Sequence, residues 1–315
     1  MEIESAHEPG IHGSRCIWCQ GSFHDYCAIS DSNACDFGKY QEFIIPPFAI
    51  KACRTRKAPN LHLTEIKAIP QWENWNPLIV IANIKSGSSE SEEIVTLFRG
   101  VLNPIQIVSL TPFGPAKALE IVKLSPVKCR ILIAGGDGSV AWVLNTIHEM
   151  KLDDKVAVAI CPIGTGNDLS RVVGWGSQIN DEILKSPDTL IDMIKRSEEV
   201  LLDRWLMEIK YDLQRSIITR RLHLDKTMFM YNYFSIGVDA LVTLNFHRAR
   251  ESPLYIVKSK IINKLFYFLF GTQQVLTQDC DKLHENIEIF LDGQKVELPE
   301  LQSVRKFIQK LIRRF

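Results

Sequence analysis

Gly135-Gly136-Asp137-Gly138-Ser139 packs three glycines and a carboxylate into five residues, a combination suited to holding phosphate. Glycines let the backbone approach a bulky anion, and a helix starting there presents free N–H groups and a positive dipole end. That dipole is worth only about 0.3–1 kcal/mol to an exposed charge. A triphosphate therefore needs Mg²⁺ to neutralise the rest, and Asp137 is placed to act through that metal or to orient the reacting phosphate. Taken alone, the run is equally a tight strand–helix turn. A second run, Gly164-Thr165-Gly166-Asn167-Asp168, offers a hydroxyl, an amide and a carboxylate, and a third, Asn83-Ile84-Lys85-Ser86-Gly87, is again small and polar.

The segments before these runs must hold them. Pro77 to Asn83 is a continuous apolar run, as expected of a strand buried on both faces. Ile105–Leu110, Arg130–Ala134 and Val156–Pro162 read as further strands. Ile94, Leu97, Phe98 and Val101, and then Val140, Val143, Leu144 and Ile147, recur at helical spacing, and Pro115 opens another helix. Strands alternating with helices imply right-handed βαβ units in a parallel sheet, with ligands bound beyond the C-terminal strand ends. The expectation is a three-layer α/β domain whose three loops share one rim. No Walker A loop, no protein-kinase His-Arg-Asp or Asp-Phe-Gly triplet and no dinucleotide fingerprint occurs.

A different chemistry stands at the N-terminus. Cys16, Cys19, His24, Cys27 and Cys35 follow one another at short intervals, which in a reducing compartment points to metal rather than disulfides. Prolines 46, 47, 59 and 70 and the basic residues Lys51, Arg54, Arg56 and Lys57 make 41–75 read as a linker. After about Asp203 the texture becomes β-rich, with strands at Met228–Ile236 and Asn286–Leu291 and a hairpin turn at Asp292-Gly293. The 37 basic residues balance the 37 acidic ones, so no global field suggests a nucleic-acid partner. No apolar run approaches a bilayer span. Leu265 to Phe270, after Lys258, Lys260 and Lys264, is either a buried helix turn or a membrane-facing patch. A cytoplasmic setting with peripheral membrane contact is expected.

The three rim loops together resemble the catalytic domain of the diacylglycerol kinase superfamily. The first two of them in chain order are shared with sphingosine kinases and, more loosely, NAD kinases. More discriminating are Leu169-Ser170, Gly174-Trp175-Gly176, Leu202-Asp203-Arg204-Trp205, Tyr233-Phe234-Ser235-Ile236-Gly237-Val238-Asp239-Ala240, Asn245-Phe246-His247, Arg250-Glu251, Asn263-Lys264 and Gly271-Thr272. These look like the eukaryotic diacylglycerol kinases, including the start of their accessory domain. The cysteine block resembles the second half of a C1 zinc module. Arg15-Cys16-Ile17-Trp18-Cys19-Gln20, Cys35-Asp36-Phe37-Gly38 and Ile44-Ile45-Pro46-Pro47 are closest to the epsilon type.

The resemblance implies transfer of the ATP γ-phosphate to diacylglycerol, giving phosphatidic acid in lipid signalling and metabolism. Gly135, Gly136, Gly138, Ser139 and the backbone of Gly164, Thr165 and Gly166 would cradle phosphates. Asp137 would be catalytic, and Asn83, Ser86, Gly87, Asn167 and Asp168 would line the nucleotide side. The family's zinc pairing puts Cys16, Cys19 and Cys35 on one ion and His24 with Cys27 on another, each set short of ligands that lie upstream in the family. The domains expected are a partial C1 module over 1–40, the linker over 41–75, the ATP-binding domain over 76–205, a partial accessory domain over 206–302 and a divergent basic amphipathic tail over 303–315, whose helical pattern is either a membrane-surface helix or incidental. An impaired isoform that binds ATP or partners without turnover is the alternative. A sphingosine- or ceramide-type kinase is disfavoured by the C1 remnant and by Leu202 to Trp205.

Overall fold

The computed structural model describes residues 13–24, 35–55, 58–84, 89–210, 226–251, 265, 268–272, 280–299 and 303–307. These fall into two units, Met1–Glu199 and Val200–Phe315.

In the first unit two short strands, β1 (Gly13–Arg15) and β2 (Ser22–His24), pair antiparallel around the cysteine block. A longer antiparallel hairpin follows, β3 (Ile50–Thr55) with β4 (Ala58–Ile66). The centre is a four-stranded parallel sheet of β5 (Leu78–Ala82), β6 (Ile107–Ser109), β7 (Cys129–Gly135) and β8 (Val156–Pro162), in the order β6-β5-β7-β8. Helices α1 (Ser89–Arg99), α2 (Ala116–Leu124) and α3 (Asp137–Glu149) alternate with the strands. The short α4 (Asp168–Val172) and α5 (Asp181–Lys185) then lead to α6 (Pro187–Arg196). Successive side chains of a strand point to opposite faces. Leu78, Val80, Ala82, Leu132, Ala134, Ala159 and Cys161 accordingly share one cluster with Ile94 and Phe98 of α1 and with Leu190, Ile191 and Ile194 of α6. Ile79, Ile81, Ile131 and Ile133 alternate with them and are equally buried, which is why these strands are apolar without interruption. The α/β expectation holds, with the second strand two residues shorter at its start because Pro104–Gln106 forms a 3-10 turn.

The stretch 41–75 is not a linker. Phe43, Ile44, Ile45, Ile66, Ile69 and Trp75 are buried, and the Trp75 indole donates to the Ile44 carbonyl at 2.8 Å. Gln106, fully buried, binds the segment to the sheet. Its amide nitrogen donates to the carbonyls of Phe43 at 2.7 Å and Leu78 at 2.8 Å. Its oxygen accepts from the N–H of Ile45 at 2.7 Å and of Asn103 at 3.2 Å. All four of its hydrogen-bonding positions are thus used. Gln106→Leu keeps the volume but strands four buried backbone groups, each worth about 1–3 kcal/mol. A loss of about 3 kcal/mol or more is expected in urea unfolding of the full chain. An unchanged midpoint would show that other partners take over these bonds.

The second unit is built from antiparallel pairs. β9 (Trp205–Ile209) pairs with β10 (Lys226–Met230), β11 (Tyr233–Gly237) with β14 (Ser303–Phe307), and β12 (Ile289–Leu291) with β13 (Gln294–Val296). Asp292 and Gly293 both have positive φ, 51° and 81°, the turn expected of an Asp-Gly hairpin. Helix α7 (Val238–Glu251) follows β11. Three expectations change here. Met228–Ile236 is two strands, interrupted at Tyr231-Asn232. The amphipathic tail over 303–315, with its helical spacing, begins as a strand from Ser303 to Phe307, where the backbone finds a pairing edge on β11, and 308–315 lie outside the described residues. Leu265, Phe268 and Leu269 are half or more exposed, so these residues are not a buried turn. Among the described residues, no helix is long and apolar enough to cross a membrane.

Candidate active site

The C-terminal ends of β7 and β8 lie side by side, with Gly135 opposite Pro162, and their loops meet directly. A Cβ on Gly164 would lie 2.3 Å from Gly136 Cα, and one on Gly136 would lie 3.0 Å from Gly164 Cα and 2.8 Å from the Gly166 carbonyl. Gly136 has a φ of −97°, open to any residue, so the glycine is required by close approach rather than by handedness. Gly135 is held likewise, with Ser139 Cβ 2.7 Å from where its own Cβ would stand. Gly138 differs. As the second residue of α3 it presents an N–H that a helix start leaves without an intrahelical partner, and nothing lies within 4 Å of where its Cβ would be. Two glycines close the loops together, while Gly138 faces open space.

Asp137 joins the two loops. Its N–H donates to the Gly166 carbonyl at 3.0 Å. Its carboxylate accepts from the N–H groups of Asp168 at 2.9 Å and Leu169 at 3.0 Å, capping the start of α4. Burial pushes its carboxyl above the ordinary aspartate range, and the neighbouring Asp168 charge adds to this. The two N–H donors and Arg171 act in the opposite direction. Asn167 is buried and works inside the loop. Its amide nitrogen donates to the Gly164 and Ser177 carbonyls, both at 2.9 Å, and its oxygen accepts from the Gly164 N–H at 3.1 Å. It shapes the loop from within. Asp168 receives Arg171 at 3.3 Å, a partner that the sequence reading passed over although it stands three residues on in the same helix. Thr165 is half-buried on the rim. Asn83, the residue after β5, donates to the Ser139 hydroxyl at 2.8 Å, which brings the third loop onto α3. Ser86 and Gly87 lie outside the described residues.

The cysteine cluster is separate from this rim. The sulfurs of Cys16, Cys19 and Cys35 lie within 4.8 Å of one another, with Cys16 and Cys35 at 3.6 Å. Tetrahedral zinc with Zn–S near 2.3 Å places sulfurs about 3.8 Å apart, so the three thiols fit such an ion. Burial raises the Cys16 thiol, but the N–H groups of Cys19 and Trp18, with the neighbouring thiols, bring it below the usual value. Cys35 is pushed up to about 11, by burial first and then by the adjacent thiols, against the Phe37 N–H. A cation among three thiols would favour the thiolates. His24 sits exposed on β2, outside the cluster, and Cys27 lies outside the described residues.

The cluster is built into the first unit. The Phe37 N–H donates to Cys35 Sγ at 3.3 Å. The Phe37 ring packs on Trp18 at 4.9 Å and on Trp72 at 5.5 Å, and Trp72 reaches Trp75 at 6.1 Å. The Tyr40 hydroxyl and the Lys39 ammonium both engage Asp188 at the start of α6. Cobalt added to the reduced chain should give a thiolate-to-metal absorption band that Cys35→Ser weakens, and chelation should lower the unfolding temperature. A chain whose unfolding ignores both metal and chelator would exclude a metal role for these thiols.

Residues 77–196 match the diacylglycerol kinase catalytic domain, and residues 229–311 match the diacylglycerol kinase accessory domain. The chain carries the catalytic and accessory domains of diacylglycerol kinases. It is similar to probable diacylglycerol kinase 3 of Caenorhabditis elegans, 33% identical over 93% of this chain and 38% of that one. Human diacylglycerol kinase zeta is 30% identical over 95% of this chain and 35% of its own length, and rat diacylglycerol kinase iota 28% over 96% and 31%. The chain thus spans a little over a third of the first of these relatives and less of the others. A solved structure of a putative diacylglycerol kinase from Bacillus anthracis overlaps 72% of this chain and 64% of its own at 17% identity, with a TM-score of 0.40, too partial a likeness to bear on the fold. Within the diacylglycerol kinase domains, the catalytic match encloses all three rim loops. The accessory match takes in β11, α7 and β14, so that Ser303–Phe307 falls inside it.

Proposed function

We propose that this chain transfers the γ-phosphate of ATP to the free hydroxyl of diacylglycerol, forming phosphatidic acid. The observation that carries the reading is the pair of fused glycine loops, which leave Gly138 open at the start of a 13-residue helix. Such a start favours an anion through its free N–H groups and its dipole. Phosphoryl transfer relies on positioning and charge neutralisation, and a backbone fixed this tightly supplies positioning without rearrangement.

Mg²⁺ is usually held through one or two carboxylates together with substrate phosphates and water. Asp137 and Asp168 are the carboxylates this rim offers; burial first, and then the neighbouring Asp168 charge, raise the Asp137 pKa, and a cation would relieve the second of these. When bound with the nucleotide, the metal would neutralise phosphate charge. Asp137 would orient the transferred group, Asn83 and Ser139 would hold the β5 side of the site, and Asn167 would keep the Gly164 loop in place. Ser86 and Gly87 are assigned to the nucleotide side on motif position alone. Assignment to the epsilon type rests on residues 15–20, 35–38 and 44–47, and peripheral contact with a membrane rests on the lipid substrate.

The test is phosphorylation of diacylglycerol in mixed micelles by the 315-residue chain with ATP and Mg²⁺. Phosphatidic acid formed in proportion to enzyme is expected. A folded chain that binds ATP and yields none would favour the non-catalytic reading.

A further inference from the structure

Arg171 stands within the short helix α4 that follows the Gly164 loop. One of its guanidinium N–H groups donates to Asp168 Oδ1 at 3.3 Å, longer than the roughly 2.7–2.9 Å of a well-formed charge-assisted bond. The two side chains are 65% and 31% exposed, and a pair this open to water binds its partners together only weakly. A guanidinium is a planar fork of N–H donors. Among the described residues this single long contact is all that engages it.

The fork borders the phosphate loops. The Asp168 N–H donates to the Asp137 carboxylate at 2.9 Å, which puts both acids on the β8 side of the rim, and the Arg171 charge acts on Asp137 as well. Asn83 and Ser139 stand on the β5 side. The other cations are placed differently. Over 135–147 and 162–176, which hold both glycine loops, Arg171 is the sole basic residue. Lys117 follows β6, at the opposite edge of the sheet from β8, and lies over the Phe113 ring. Lys85 lies outside the described residues.

An incoming phosphate would compete with Asp168 for the fork, and it has the better geometry. Two phosphoryl oxygens can meet two guanidinium N–H groups side by side, where Asp168 meets one. With the anion entering at Gly138 and Asp137 orienting the group to be transferred, a cation beside Asp137 and Asp168 faces the terminal phosphate rather than those nearer β5. We infer that Arg171 releases Asp168 when nucleotide binds and grips the γ-phosphate of ATP with its guanidinium. The inference rests on the lipid-kinase reading for the location of the phosphates, and it adds the residue by which the site tells ATP from ADP. Arg171 exchanges no proton. It holds by charge and by paired N–H donors, the kind of clamp that stabilises a transferring phosphoryl group. Its departure leaves the Asp168 carboxylate free beside Asp137, where a cation accompanying the nucleotide would be held.

The experiment is equilibrium binding of ADP and of β,γ-imido-ATP, whose terminal phosphate does not transfer, to the 315-residue chain with Mg²⁺ and without lipid. The parent should prefer imido-ATP. Arg171→Ala should weaken imido-ATP about tenfold or more and leave ADP within about twofold. Arg171→Lys, a point charge without the fork, should recover part of that loss. Retained ADP binding shows that the variant site is folded. Equal weakening of both nucleotides would make Arg171 a general attractor of anions, and unchanged selectivity would leave it a partner of Asp168 alone; either result overturns the clamp. Lipid phosphorylation is not the readout. A chain that selects imido-ATP through Arg171 yet forms no phosphatidic acid would remove the kinase reading and keep the clamp, whereas a parent that binds neither nucleotide would overturn both.

Discussion

Asp137→Asn should reduce phosphatidic acid formation by about 10²-fold or more, within the range for removing a catalytic acid–base or charge-positioning group. The geometry adds a second effect. Each carboxylate oxygen of Asp137 accepts one N–H at the start of α4. Asparagine retains one acceptor and turns an NH₂ toward the other N–H. One charge-assisted bond is lost, worth about 1.5–3 kcal/mol. The variant should therefore fold with a loosened Gly164 loop. Activity, ATP binding and unfolding midpoint need measuring together. Turnover lost beyond the loss in ATP affinity assigns Asp137 to the reacting phosphate, and turnover retained would make it a purely structural clamp. The pH dependence supplies a further check. The folded protein raises the Asp137 pKa, chiefly by burial, so the folded state binds a proton more tightly than the unfolded one. Stability from this group is present below the unfolded value and is lost as pH rises through the folded one. Asp137→Asn should remove that decline.

Gly164→Ala and Gly138→Ala should have opposite consequences for folding, although both add one methyl group. At Gly164 the new carbon would fall 2.3 Å from Gly136 Cα and 2.7 Å from its nitrogen. These are backbone atoms at the ends of paired strands and cannot turn aside as a side chain would. The loops must part, with the loss of the Asp137 hydrogen bonds that span them, and overpacking of this kind costs about 1–3 kcal/mol or more. At Gly138 the methyl meets nothing within 4 Å, and alanine in a helix is favoured over glycine by about 0.5–1 kcal/mol. That variant should fold as well as the parent or better, yet bind ATP at least tenfold more weakly because the methyl occupies the anion's approach. Thermal unfolding and ATP titration of the two variants separate the roles. A Gly138→Ala chain with unimpaired ATP affinity would move the phosphate away from this helix start.

Much of the framework was legible in the residues. Strands buried on both faces are apolar throughout, so Leu78–Ala82, Cys129–Gly135 and Val156–Pro162 stand out against helices with one apolar stripe. Asp292-Gly293 announced its turn because few residue pairs accept positive φ together. The cysteine spacing brought three thiols into one cluster, and the glycine runs lay on one strand rim as expected. What the chain order concealed were relations between distant segments. The prolines of 41–75 suggest a spacer, yet Gln106, some sixty residues on, supplies the bonds that bury it. Local composition cannot report where a backbone carbonyl finds its donor. The tail from 303 has helical periodicity, but pairing with Tyr233–Gly237 makes its first residues a strand. Asn167 and Asp168 read from sequence as an amide and a carboxylate, both lining the nucleotide side. Only the folded loop shows that Asn167 spends its hydrogen bonds inward, while Asp168 lends its N–H to Asp137 and its carboxylate to Arg171. Sequence determined which residue types gather at the strand ends. Tertiary structure decided which of them touch each other and which face outward, because the gap between Gly136 and Gly164 is set by the register of two strands and not by either loop.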